Sequence, residues 1–199
     1  MIKLIDILKE SNKILVPRRA PEERQKNFLI ATQKKIKKYM TDGGKGELDL
    51  SDTPITSLPN DLKVGGYLNL ENTKITSLPN GLQVGGSLNL EDTPITSIPN
   101  DLQVRGALYL SYTPITSLPN DLQVGGDLIL TYTEITSLPN GLQVKGHLDL
   151  SYNKITSLPN DLQVEGDLFL RNTPISKKYT EEQIKQMCPG VKGNIYTQW

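Results

Sequence analysis

Leu48-Asp-Leu-Ser-Asp-Thr-Pro-Ile-Thr-Ser-Leu-Pro-Asn-Asp-Leu-Lys-Val-Gly-Gly66 is followed, without one inserted residue, by five near-copies and the start of a seventh at a spacing of 20. Leucine recurs at 48, 68, 88, 108, 128, 148 and 168, and again two residues later at 50 through 170. Isoleucine recurs from 55 to 175, Leu-Pro-Asn from 58–60 to 158–160 with Ile-Pro-Asn at 98–100, Leu62 and Val64 six times each, and Gly46 seven times. A fixed period of this length marks a solenoid, in which each unit packs only against its neighbours.

The alternation Leu48-x-Leu50 is that of a short strand with one buried face. Copies stacked in register predict a parallel sheet of about seven strands, with neighbours roughly 4.8 Å apart. Pro59 lacks an amide proton and bars a helix interior after Leu58, so the convex side is expected to be extended or polyproline-like. Each unit points about six aliphatics inward, in the first copy Leu48, Leu50, Ile55, Leu58, Leu62 and Val64. A lone unit cannot repay its own ordering entropy, so stacking must do so and the two ends must be covered. The glycine before each strand points to positive φ or to close backbone approach. A phosphate cradle would instead place it at the start of a helix.

Hydrophobic residues make up 36% of 199, with two Phe and one Trp, which suits a narrow aliphatic stripe better than one central core. The formal net charge is zero but unevenly spread. Residues 1–46 hold twelve basic and five acidic side chains, and residues 47–176 hold six and fifteen. A basic head thus adjoins an acidic body. Cys188 is the only cysteine, so no internal disulfide forms, which fits an intracellular, cytoplasmic setting. No stretch reaches the ~20 apolar residues of a membrane span, and charges interrupt the apolar run of residues 1–10 as a secretory leader would not.

The phrase Leu-x-Leu-x-x-Thr-x-Ile-x-x-Leu-Pro-x-x-Leu resembles the leucine-rich-repeat family, most closely its 20-residue bacterial class, over about residues 46–176. That resemblance implies a leucine-rich-repeat solenoid acting as a non-enzymatic protein-binding scaffold. The family's Asn after the strand is kept only as Asn153; Thr53, Thr73, Thr93, Thr113, Thr133 and Thr173 replace it, and a hydroxyl there is expected to donate to a carbonyl of the neighbouring turn. Some bacterial effectors with similar repeats carry a ubiquitin-ligase domain with a catalytic Cys; the 23 residues after these repeats leave no room for one, so that activity is not carried over. The Thr-Ser-Leu-Pro and Leu-x-Val-x-Gly phrasing, with its flanks, also looks similar to small repeat proteins of tailed bacteriophages.

The expected organisation is an N-terminal cap over 1–45, repeats over 46–176 and a C-terminal cap over 177–199. Residues 20–41 predict an amphipathic helix: Pro21 opens it, Glu22 and Glu23 complement its dipole, and Gly43-Gly44 end it. Phe28 or Leu29, Thr32, Ile36, and Tyr39 or Met40 fall on one face. Lys34, Lys35, Lys37 and Lys38 lie outside that face, as a solvated surface or as a contact for nucleic acid or another polyanion. Thr180-Glu-Glu-Gln183 is a capping-box start, with a short helix to about Met187 and an edge strand within 193–197. Cys188 reads as a packed thiol. Leu8-Lys9-Glu10 resembles the site cut by the prohead proteases of T4-like phages, which implies a capsid-targeting leader cut after Glu10.

Three columns of residues are expected on the concave, outward side of the strands. Residues 47 through 167 read Glu, Tyr, Ser, Ala, Asp, His, Asp; residues 49 through 169 read Asp, Asn, Asn, Tyr, Ile, Asp, Phe; residues 52 through 172 read Asp, Asn, Asp, Tyr, Tyr, Tyr, Asn. These differ most between repeats. Tyr109, Tyr112, Ile129, Tyr132, Tyr152 and Phe169, with Asp127 and Asp149, form the candidate partner-binding patch. No catalytic residues, metal ligands or cofactor are assigned: His147 is the only histidine, and Asp127, Asp149 and Asp167 read as surface carboxylates before a cation site. Threonines at 53 and 56 stand three apart, unlike the two-apart rows of ice-binding solenoids.

Overall fold

The computed structural model describes residues 21–198, so the candidate cleavage site at Leu8-Lys9-Glu10 lies outside the described residues. Helix α1 (Pro21–Thr41) starts at the expected proline, with Glu22 and Glu23 in its first turn. Gly43 and Gly44, both at positive φ, close it, and the Gly44 amide bonds to the Tyr39 carbonyl. Its inner face is Leu29, Thr32, Ile36, Tyr39 and Met40, while Phe28 remains 48% exposed. The Tyr39 hydroxyl lies 2.7 Å from the Gly44 carbonyl and accepts the Gly65 amide at 3.2 Å, fastening α1 to the first turn of the solenoid.

The repeats form the expected strands. Leu48–Asp49 and its copies at 68, 88, 108, 128, 148 and 168 pair in order, parallel and in register, with leucine opposite leucine. Ile195–Tyr196 from the C-terminal cap pairs with Leu168–Phe169, so among the described residues this sheet has eight strands. The aliphatic columns all face the core; only Leu158 among them is merely half-buried.

The rest of each repeat is extended, but part of it is more regular than polyproline-like chain. Lys63–Val64 and the Gln-Val pairs at 83, 103, 123, 143 and 163 form a second parallel sheet of six strands. The inward valine holds this backbone at the repeat spacing, where amides meet carbonyls one turn away, as Gly85 N–H meets the Val64 carbonyl at 2.7 Å.

Gly46 opens the glycine column at positive φ, and from Gly66 onward close approach explains it. A Cβ on Gly66 would stand 2.6 Å from the Gly46 carbonyl oxygen, and one on Gly166 2.6 Å from that of Gly146. The threonines act differently from the expectation. Each hydroxyl donates to the leucine carbonyl three residues earlier in its own turn, from Thr53 to Leu50 at 2.6 Å through Thr173 to Leu170 at 2.6 Å. The short side chain closes its own turn instead of reaching the next. Asn153 does cross between turns: its Oδ1 accepts both the amide and the hydroxyl of Thr133, one turn earlier, at 3.0 Å.

At the far end α2 (Pro174–Lys178) and α3 (Glu181–Met187) cover the last turn. Thr180 and Gln183 form the reciprocal capping box that the sequence predicts. Val191 bridges to Val164, which closes the second sheet, and Lys185 Nζ donates to the Val191 and Gly193 carbonyls at 2.6 Å each. Cys188 is fully buried, and burial pushes its thiol pKa up.

Candidate functional site

The outer surface of the eight-stranded sheet is built from three columns that the core leaves free, and each does different work. In the first column the side chain of one repeat receives the amide of the next. Ser87 Oγ accepts from Ala107 N–H, Asp127 Oδ1 from His147 N–H at 2.7 Å, His147 Nδ1 from Asp167 N–H at 2.9 Å, and Asp167 Oδ1 from Asn194 N–H at 2.8 Å. Asp127 and His147 are thus tied to the backbone ladder.

The second column lies on the strands, in continuous register from Asp49 through Tyr109, Ile129, Asp149 and Phe169 to Tyr196. Where it carries Asp or Asn, the side chain folds the turn that follows: Asp49, Asn69, Asn89 and Asp149 each accept the amide two residues on. The Ser51 hydroxyl, then its amide, hold the Asp49 carboxyl below the usual carboxylate range. At the C-terminal end of the column rings meet. Phe169 stacks on Tyr196 at 5.0 Å between centroids, His147 meets Phe169 edge-on at 6.0 Å, and the Arg171 guanidinium lies 5.3 Å from the Phe169 ring.

The third column sits on the turn after each strand, not on the strand where the sequence reading had placed it. All seven residues, Asp52, Asn72, Asp92, Tyr112, Tyr132, Tyr152 and Asn172, have φ between 53° and 63°. Asp and Asn tolerate this left-handed backbone; tyrosine does so at a steric cost. The amide at each step bonds to the next repeat, Asp92 to the Ser111 carbonyl, Tyr112 to Thr131 and Tyr132 to Ser151, so successive side chains are one repeat apart. Tyr112 and Tyr132 stack with centroids 4.9 Å apart and 9° between planes, and Tyr132 and Tyr152 stack at 4.4 Å and 12°. Tyr112 is 56% and Tyr132 47% exposed. Burial, then its neighbour Tyr152, raise the pKa of the Tyr132 phenol.

The candidate patch therefore resolves into a strand column of Tyr109, Ile129, Asp149 and Phe169 and a turn column of Tyr112, Tyr132 and Tyr152. Residue 51 and its copies run between them, and there Ser111 and Ser151 are buried. Asp127, Asp149 and Asp167 are each occupied by a backbone amide, and among the described residues no three acidic, histidine or cysteine side chains are grouped for a metal ion. Tyr196 and Arg171 extend the patch into the C-terminal cap. Tyr196 escaped the sequence reading because the period ends before it; the expected strand at 193–197 was its only signal.

Of Lys34, Lys35, Lys37 and Lys38 on α1, Lys38 pairs with Asp42 at 2.7 Å and Lys35 donates to the Asp49 carbonyl. Among the described residues no helix is long and apolar enough to cross a membrane.

The family model for the Leucine Rich Repeat matches residues 147–164. That stretch is the repeat that keeps Asn153 and its bonds to the previous turn. No curated protein matches the chain. One matched repeat, within a parallel solenoid that returns the same leucines in register at every turn, makes the chain similar to leucine-rich-repeat proteins.

Proposed function

We infer that the protein is a non-enzymatic scaffold that binds a protein partner through the outer face of its eight-stranded sheet. One observation carries the reading. Against a core whose columns repeat almost unchanged, the outward columns vary from turn to turn and gather stacked, half-exposed tyrosines over three consecutive repeats. Exposed contiguous aromatics of this kind are characteristic of interaction surfaces, because rigid rings lose little entropy on contact. The binding residues are Tyr109, Tyr112, Ile129, Tyr132, Tyr152 and Phe169, with Asp127 and Asp149 as fixed acidic neighbours. Cys188, buried and unpaired, suits a reducing, cytoplasmic setting.

The test is affinity capture from the native source, read by mass spectrometry, with wild type beside Tyr112→Ala/Tyr132→Ala. The variant is expected to keep its circular dichroism spectrum and to lose the partner. Unchanged capture by a folded variant removes the proposed face. Polyanion binding through Lys34, Lys35, Lys37 and Lys38 has less support, since two of these amines already serve the cap. The virion-associated reading rests on residues 8–10 and the phrasing of the repeats alone.

A further inference from the structure

Taking the scaffold reading as its premise, we propose that the partner is a protein bearing a cationic, arginine-containing segment, seated where the tyrosine stack ends at Tyr112 beside Asp92. Stacking uses the facing sides of Tyr112 and Tyr132, and of Tyr132 and Tyr152. The side of the Tyr112 ring away from Tyr132 looks along the column toward the preceding repeat, and Tyr112 is the most exposed ring of the three. The next residue of the column there is Asp92, one hydrogen-bonded repeat step away, with Glu91 before it and Glu71 one turn further; Asp92 is exposed. At the other end of the stack the column continues with Asn172, which is uncharged. The two ends therefore differ in charge, and only the Tyr112 end offers an open ring face together with a carboxylate.

Charge complementarity selects the occupant. Residues 47–176 hold fifteen acidic against six basic side chains, and the lysine–carboxylate pairs of the described residues lie elsewhere, at Lys38–Asp42 and Lys154–Glu134. A ring face beside a carboxylate fits a guanidinium better than an ammonium. The planar group covers the ring while its N–H donors reach sideways to the carboxylate; a lysine reaches either with a single point charge. The molecule uses the guanidinium–ring half of this arrangement within itself, where the Arg171 guanidinium lies over Phe169 in the strand column. The retention of tyrosine on a left-handed turn, where Asp and Asn serve in the other repeats, fits a role for the ring outside the fold.

The probe is a capped, fluorescently labelled peptide of alternating arginine and serine, titrated with the full chain and read by anisotropy. Lysine–serine and glutamate–serine peptides serve as comparators. Binding is expected for the arginine peptide, weaker for lysine and absent for glutamate, and it should fall as salt rises. Tyr112→Asn keeps a residue suited to the backbone, as Asn72 and Asn172 are, and Asp92→Asn keeps the shape of the carboxylate. Each should weaken arginine binding roughly tenfold while the thermal midpoint holds. No binding by wild type overturns the proposal. So does binding that Asp92→Asn weakens and Tyr112→Asn leaves intact, because that is a diffuse field and not a seat on the ring. If wild type ignores the peptide yet captures a partner that the double tyrosine variant loses, the cationic partner falls and the interaction face stands. If capture also survives that variant, both fall.

Discussion

The first three repeats and the next three share a backbone and a core but present different outer faces. Between residues 47 and 92 the strand and turn columns carry Asp49, Asn69, Asn89, Asp52, Asn72 and Asp92, and the side chains fold turns and bridge repeats, as Asn72 does to Asp52 at 2.8 Å. Between 107 and 152 the same columns carry Tyr109, Ile129, Tyr112, Tyr132 and Tyr152, and Asp149 alone folds its turn as the residues of the first half do. The comparison separates what the solenoid requires from what it permits. Inward leucines, glycines at the close approach and threonines closing each turn recur in both halves. The outer columns are released from that requirement, and in one half they are largely aromatic even on a turn that disfavours it.

The largest expected effect tests the shared part. Leu70 and Leu130 are equivalent, fully buried and in opposite halves. Leu70→Ala and Leu130→Ala should each destabilise by about 2–5 kcal/mol through lost transfer energy and a residual cavity. Chemical denaturation should give values within about 1 kcal/mol of each other, allowing for differences in local relaxation. A Leu130 variant that lost far less would mean that the aromatic half is held by its outer face, and the comparison would break.

How much of this was legible beforehand follows the same division. The constant columns announced themselves by recurrence, so the strand register and the inward aliphatics were readable; outside the repeats, helix-start signals gave the opening of α1 at Pro21 and the capping box at Thr180. The second sheet was not, because two-residue Gln-Val strands carry no alternation of their own; only stacking makes them a ladder. The turn column was misplaced because residue 52 was grouped with the outward strand residues 47 and 49, although the alternation of Leu48 and Leu50 ends with the strand and would have turned position 52 inward. Its Asp and Asn residues at 52, 72, 92 and 172 were the available signal for a left-handed turn, and the three tyrosines masked it. Residue types identified the candidate rings, but stacking geometry and the occupation of Asp127 and Asp149 by backbone amides depend on distances that no column shows.

A smaller effect tests the divergent part. Asn72→Tyr places a tyrosine on the same left-handed backbone with Asp52 and Asp92 as neighbours, and removes the Asn72–Asp52 bond. With no ring beside it in the column, it should cost about 1–2 kcal/mol of steric strain. In the reverse change, Tyr132→Asn, relief of that strain opposes the loss of two stacks worth about 0.5–1.5 kcal/mol each, so the net loss should not exceed about 2 kcal/mol and can be near zero. Denaturation midpoints compared at equal slope decide the matter. If Tyr132→Asn is strongly destabilising, the ladder is structural, and the case for a partner on it loses its main support.

The smallest effect lies at the acidic end of the strand column. Hydrogen bonds from the Ser51 hydroxyl and amide favour ionised Asp49 in the folded chain, so its folded pKa lies below its unfolded one. The sign follows from linkage: the stabilisation is present above the unfolded value, about 3.9, and is lost as pH falls through the lower folded value. Asp49→Asn retains an oxygen that accepts the Ser51 amide, as Asn69 and Asn89 do in the next two repeats. At neutral pH its stability should fall only slightly, because Asp49 is exposed and solvent screens its charge. Below the ordinary carboxylate range the two proteins should converge, so thermal midpoints measured across the acid limb should fall less steeply for the variant. Parallel limbs would mean that Asp49 has the same proton affinity folded and unfolded, and that its turn is held by geometry alone, as in the two asparagine repeats beside it.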